Sequence, residues 1–111
     1  MECRIEKKTG YLMISLIGRL DASTAAEAET QILAACATSE RMLLELSELE
    51  YISSAGLRVL LITAKTMQHK AGKLALCNMS TPVKEIFNIS GFNSIFKIFP
   101  TAEESTSFLL A

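Results

Sequence analysis

Two short runs rich in β-type residues open the chain, Cys3 to Lys7 and Tyr11 to Ile17, and the Thr9-Gly10 pair between them predicts a hairpin turn. The second run, "YLMISLI", is apolar almost throughout, as in a strand covered on both faces. The period then changes. In "GRLDASTAAEAETQILAACATSE", Ala25, Ala28, Ile32, Leu33 and Cys36 share one helical face, which predicts a helix packed on the sheet. Thr24 and Glu27 have capping-box spacing at its start, and the alanines favour helix. Met42 to Leu46 ("MLLEL") is the next strand.

A second helix follows from Leu57, Leu60, Leu61, Ala64, Met67 and Gln68 at helical spacing. Its end is expected near Ala71-Gly72, with Lys70 in the last turn and Gly72 placed for a left-handed cap. Leu74 to Cys77 reads as a short buried strand. Thr81-Pro82 supplies a cap and a first-turn proline for a third helix, which Ser90-Gly91 ends. Ile95 to Phe99 is a last strand, and Thr101-Ala102-Glu103-Glu104 gives a capping-box signal for a terminal helix.

The order ββαβαβαβα predicts one α/β domain over residues 1–111: a mixed, largely parallel sheet with right-handed crossovers and about four helices. Leu12, Ile14, Leu16, Leu43, Leu44, Leu46, Leu57, Leu61, Leu74, Leu76 and Phe96 are its expected core. In such sheets, sites lie where strand C-termini meet helix N-termini. Two corners fall on that edge, Asp21-Ala22-Ser23 and Ser53-Ser54.

Composition narrows the function. Half of the 111 residues are apolar and 21% are charged, which excludes a disordered chain. The longest apolar run, Ile32 to Ala37, falls far short of the ~20 residues that span a bilayer. Glu2, Arg4, Glu6, Lys7 and Lys8 at the N-terminus leave no apolar segment for a signal peptide. A net charge of −1 gives no reason to expect nucleic acid or a membrane surface as partner. Cys3, Cys36 and Cys77 are widely spaced and His69 is the only histidine, so a zinc site would lack ligands. Reduced thiols in the cytoplasm, and no cofactor, are the expectation.

The stretch "YISSAGLRVLL" (Tyr51–Leu61) stands out as a hydroxyl-rich corner opening a strongly helical run. A serine there can accept hydrogen bonds from free backbone N–H groups, and the helix dipole favours negative charge. Gly56 removes a side chain where another surface could approach the backbone. The plainer reading is an ordinary N-cap by Ser53 or Ser54, with Gly56 tolerated at about 1 kcal/mol relative to alanine. Catalysis fits poorly. A nucleophile elbow, G-x-S-x-G, would need glycine where Ile52 stands. The only imidazole, on His69, lies about 20 Å along the same helix at ~1.5 Å per residue. The chain reads as a non-enzyme.

At this corner the sequence resembles the anti-sigma-factor antagonists, the stand-alone bacterial STAS domains, whose hallmark is a strand and then Asp-Ser-(Ser/Thr)-Gly-Leu opening a helix. Gly56-Leu57 sets the register, and the resemblance implies that Ser54 is the phosphorylated serine. "GRLDAST" resembles the family's Gly-x-Leu-Asp segment, which implies that Asp21 is the acidic residue beside the phosphosite. "VKEIFNISGFNSIFKIFPTAEES" resembles its closing helix–loop–strand–helix. Ser53 stands where the family usually has Asp, and Ala55 where it has Ser or Thr, which leaves Ser53 as a second candidate acceptor.

The resemblance implies a switch that binds an anti-sigma factor with serine kinase activity when unphosphorylated, releases a sigma factor, and is reset by a serine phosphatase. The alternative is a STAS scaffold or sensory module that binds a protein or small ligand without phosphorylation. Candidate partner-binding residues are Asp21, Ser53, Ser54, Ala55, Gly56, Arg58, Val59 and Ile62. Val59 and Ile62 lie off the leucine stripe, forming either an exposed apolar ridge or the flank of a wide buried face. Arg58 is either an anchor for an acidic partner or a solvated arginine. Phe87, Phe92, Phe96 and Phe99 read as core and loop anchors, and His69 as surface.

Overall fold

In the computed structural model, which describes residues 1–111, the long apolar run is the organising strand. Strands β1 (Glu2–Lys8) and β2 (Tyr11–Leu20) form an antiparallel hairpin closed at Lys8↔Tyr11, where Gly10 takes the left-handed φ of 88° that the turn requires. Leu12–Ser15 of β2 pair in parallel with β3 (Arg41–Glu45), β3 with β5 (Lys73–Cys77), and β5 with β6 (Lys97–Phe99). The order β1-β2-β3-β5-β6 is a mixed, largely parallel sheet.

One strand was absent from the sequence-based pattern. β4 (Leu49–Ile52) pairs in parallel with the far end of β2, so β3 and β4 lie in succession along the same strand. "LEYI" is four residues long and half of it is polar or amphipathic, too short to separate by pattern from the helix it precedes. The β2–β4 ladder slips: Gly18 faces Leu49 but Arg19 faces Tyr51, which leaves Glu50 unpaired. Gly18 has a φ of 104° at this bulge.

Four helices cover the sheet: α1 (Ala25–Cys36), α2 (Ser54–His69), α3 (Thr81–Ser90) and α4 (Ala102–Leu109). Side chains of α1, α2 and α3 join one large core with Leu12, Ile14, Leu16, Leu44, Leu46 and Leu76. α4 closes a smaller core of Leu43, Ala75, Cys77 and Leu109. The central strands β3 and β5 therefore face apolar surroundings on both sides, as their unbroken apolar runs require. Two expected core residues are only half-buried, because Leu61 and Leu74 line an open groove beside Ile95 and Phe96. Val59 is fully buried instead, since α2 packs on α1 as well as on the sheet and so needs a wider apolar face.

The helix ends correct several local expectations. Thr24 precedes α1 but makes no side-chain cap, so the Thr24–Glu27 capping box does not form. Thr101 does cap α4, accepting from the Glu104 N–H at 3.2 Å. At the end of α2 the left-handed residue is Ala71 (φ 56°), not Gly72. Ala71 N–H donates to Gln68 O and Gly72 N–H to Met67 O, the paired bonds of a Schellman motif. Gly72 is needed for another reason, as a Cβ there would stand 2.8 Å from the Glu40 carbonyl oxygen. Lys70 serves a different helix from its own: its ammonium donates to the carbonyls of Cys36 and Ser39 at the end of α1. Ser80, rather than Thr81, precedes α3, and its hydroxyl donates to Leu49 O. Gly91 (φ 76°) ends α3, and a 3₁₀ turn at Phe92–Ser94 delays the last strand to Lys97. Phe87, Phe92 and Phe96 pack together, and Phe99 packs on Phe108. No helix is long and apolar enough to cross a membrane.

Candidate functional site

The two corners named by the sequence are stitched together by β2 and β4. In the first, between β2 and α1, the Thr24 hydroxyl donates to Arg19 O at 2.9 Å and accepts from the Asp21 N–H at 3.0 Å. This use of the hydroxyl is what removes Thr24 from capping. Asp21 Oδ1 accepts from the Ser23 hydroxyl at 2.7 Å and the Ser23 N–H at 3.0 Å. Those hydrogen bonds, the hydroxyl's first, hold the Asp21 carboxyl below its usual range, and the nearby Arg19 charge acts in the same direction. At neutral pH Asp21 is a carboxylate.

In the second corner Ser53 and Ser54 have separate roles. Ser53 N–H donates to Leu20 O at 2.9 Å, which pins this corner to the end of β2. The Ser53 hydroxyl oxygen accepts from the Gly56 N–H at 3.4 Å, so Ser53 is the N-cap of α2. Ser54 is the first helical residue; it is exposed, and its hydroxyl makes no hydrogen bond within the protein.

Gly56 does receive another surface, but an internal one. It is buried, and a Cβ on it would stand 2.7 Å from both Leu20 O and Ile52 Cγ1. The expectation that a partner approaches this glycine is corrected: the end of β2 already occupies that side.

Asp21, Ser53, Ser54 and Ala55 line one shallow, open depression of ≈ 500 Å³, together with Arg19, Ala22, Ser23 and Tyr51. Of the other candidates, Arg58 is exposed but lies outside the depression. Ile62 is half-buried and also outside it. Val59 is 1% exposed and presents no surface to a partner, so the apolar ridge is not there. His69 closes α2 at the end opposite Ser54, and no imidazole stands beside the serines.

Sequence reasoning missed Arg19 and Tyr51. The Arg19 guanidinium lies over the Tyr51 ring, 4.4 Å from its centroid, and its Nε is 3.7 Å from Asp21 Oδ2. A signal existed in the two-residue spacing of Arg19 and Asp21, which puts both on one side of a strand end. Without β4 there was nothing to set Tyr51 opposite Arg19. The depression thus offers a free hydroxyl, a carboxylate and a stacked guanidinium on a surface open to a macromolecule.

Comparison with known proteins gives one family. The STAS domain model matches residues 2–105. The chain is 38% identical over 108 residues to BtrV of Bordetella bronchiseptica, proposed to be an anti-sigma factor antagonist, covering 96% of this chain and 93% of BtrV. It is 30% identical over 111 residues to the anti-sigma F factor antagonist of Paenibacillus polymyxa, covering 98% and 92%. Among solved structures, an anti-sigma factor antagonist from Mycobacterium paratuberculosis superposes with a TM-score of 0.90 at 22% identity, covering 99% of this chain and 94% of the other.

Proposed function

The chain belongs to the STAS domain family, and from that premise we propose that it is an anti-sigma factor antagonist switched by phosphorylation of Ser54. Unphosphorylated, it binds an anti-sigma factor that is also an ATP-dependent serine kinase, and the bound kinase lets go of its sigma factor. In the transfer, Ser54 Oγ forms a bond to the γ-phosphorus of ATP as the bond to the β-phosphate oxygen breaks. ADP leaves, and the hydroxyl proton passes to the kinase or to water. A serine phosphatase hydrolyses the phosphate and restores binding. These steps take place in the cytoplasm, and catalysis belongs to the partners.

The observation that carries this reading is the division of labour between the serines. Ser53 is held by its cap, whereas the Ser54 hydroxyl is exposed and unbonded at the rim of an open depression. The names of the relatives, at 38% and 30% identity over nearly the whole chain, point the same way.

Magnitudes suit a surface switch. A phosphate brings a charge of about −1.5 to −2. At a helix N-terminus it is favoured by ~0.3–1 kcal/mol, so the fold survives. At an interface already holding the Asp21 carboxylate, a penalty of ~3 kcal/mol lowers affinity more than a hundredfold. One feature favours a second reading, a scaffold or sensory module without phosphorylation: Ser53 and Ala55 replace the Asp and Ser/Thr that flank the family's phosphoserine. The test is capture of partners on the unphosphorylated protein, then incubation of the captured kinase with ATP and mass analysis of the intact antagonist. Phosphate on Ser54 supports the switch. A stable complex that never transfers phosphate supports the scaffold.

A further inference from the structure

Arg19 is held on two sides and open on a third. The slip in the β2–β4 ladder sets it directly across from Tyr51, with Gly18 taking the left-handed backbone that the bulge needs. Its guanidinium rests on the Tyr51 ring at 4.4 Å. Its Nε is 3.7 Å from Asp21 Oδ2, well beyond the ~2.7–2.9 Å of a charge-assisted hydrogen bond. Asp21 Oδ1 is already engaged by Ser23. The Arg19 side chain is 60% exposed, so its N–H donors still face water in the depression that Ser54 borders. A stacked, loosely paired guanidinium is preorganised for a tetrahedral dianion, which it can grip through two parallel N–H bonds.

We propose that Arg19 is the receptor for a phosphate carried on Ser54, steadied by Tyr51 and drawn away from Asp21 when the phosphate arrives. The inference rests on the phosphorylation reading above. Arg19 takes no part in the transfer; it meets the product and fixes its orientation. The dianion is the form it holds best, so the second ionisation of the phosphate becomes easier. An aspartate at position 54 has a shorter reach and fewer acceptor oxygens, so it engages Arg19 less, and the arginine separates phosphoserine from its common mimic.

The test places phosphoserine at position 54 by encoded incorporation, so no kinase is needed, and follows the phosphate by phosphorus NMR against pH. The midpoint in the otherwise wild-type protein should lie about 0.5 unit or more below that in Arg19→Gln, with Arg19→Lys between them. The Arg19 Nε–H resonance should shift as the phosphate ionises. Equal midpoints in wild type and Arg19→Gln overturn the proposal; a thermal melt of each variant checks that all three are folded. A separate arm treats the unmodified protein with the captured kinase and ATP. Failure to label either Ser54 or Ser53 there defeats the switch and leaves the Arg19 result to stand or fall by itself.

Discussion

The β2–α1 and β4–α2 corners lie on one edge of the sheet, each opens a helix, and each is rich in hydroxyls, yet they handle their polar groups differently. The first is closed on itself. Asp21 is engaged by Ser23, and the Thr24 hydroxyl ties Arg19 O to the Asp21 N–H. In the second, Ser53 alone meets the local demand, and the Ser54 hydroxyl is left over. The helix ends differ as well: α1 has Glu27 in its first turn, whereas the first turn of α2 carries no acidic residue. The positive end of α2 thus has no acidic residue of its own beside a spare hydroxyl. The first corner uses its hydrogen-bonded hydroxyls internally and exposes charged groups, Asp21 and Arg19; the second exposes a hydroxyl with no internal partner.

The strongest way to break this comparison is to disturb the seam that joins the corners. In Gly56→Ala the new Cβ meets Leu20 O, a backbone atom that cannot swing aside. We expect a loss of about 2–3 kcal/mol, read by thermal or urea melts. If the variant instead kept its stability and lost only partner binding, Gly56 would face the partner, and the packing account of this glycine would be wrong.

Next in size is the spare hydroxyl. Ser54→Ala should fold within about ±0.5 kcal/mol of wild type, bind the partner and accept no phosphate there. Ser54→Asp should also fold normally, yet bind at least ~10-fold less tightly, about 1.4 kcal/mol, by calorimetry. Loss of stability and affinity together in Ser54→Asp would give this residue a structural role. Phosphate appearing on Ser53 would move the acceptor and keep the switch.

How far the sequence could be read follows the same division. Long periodic elements were legible: the "YLMISLI" and "MLLEL" strands, four helices, and the two corners on one edge. The Ser53-Ser54-Ala55 and Asp21 juxtaposition was expected because both corners lie on the strand C-terminal edge of the sheet, although β4, the strand that pairs the serine corner with the end of β2, was not read. What was hidden depends on contacts between segments distant in sequence. Val59 is buried because α1 covers α2, and Lys70 caps α1 rather than its own helix. Ala71 adopts the left-handed turn that glycine would fill more easily, while the neighbouring glycine, Gly72, is the one packed against Glu40. The four-residue β4 was too short to show a period, and with it the Arg19–Tyr51 stack went unseen.

A smaller effect sharpens the contrast between the two hydroxyls that do have internal work. Thr24 links two backbone groups at 2.9 and 3.0 Å, whereas the Ser53 cap is long at 3.4 Å. Thr24→Val should cost about 1–2 kcal/mol, leaving the Asp21 N–H without its acceptor. Ser53→Ala should cost only ~0.5–1 kcal/mol, the low end for an N-cap. Equilibrium urea unfolding of both variants decides it; a reversed order would mean that the second corner is the more tightly bonded one.

The smallest expected effect is on acid stability, where only the first corner carries a titrating group. Asp21 has a lowered pKa in the folded protein, caused first by the Ser23 hydroxyl and helped by the Arg19 charge. Its contribution is therefore fully present above the unfolded carboxylate pKa of ~3.9 and is lost as pH falls through the lower folded value. Asp21→Asn keeps an acceptor oxygen for Ser23 but cannot titrate. The stability advantage of wild type over this variant should be constant at neutral pH and shrink below about pH 4, read from melting temperatures across the acid range. Ser54→Ala should show no such pH dependence relative to wild type. At neutral pH, Asp21→Asn should leave the fold intact and change the rate of Ser54 phosphorylation or the affinity for the partner. If acid stability responds while both of those stay at wild-type values, Asp21 only fastens the β2–α1 corner, and the contact surface is centred on the serines.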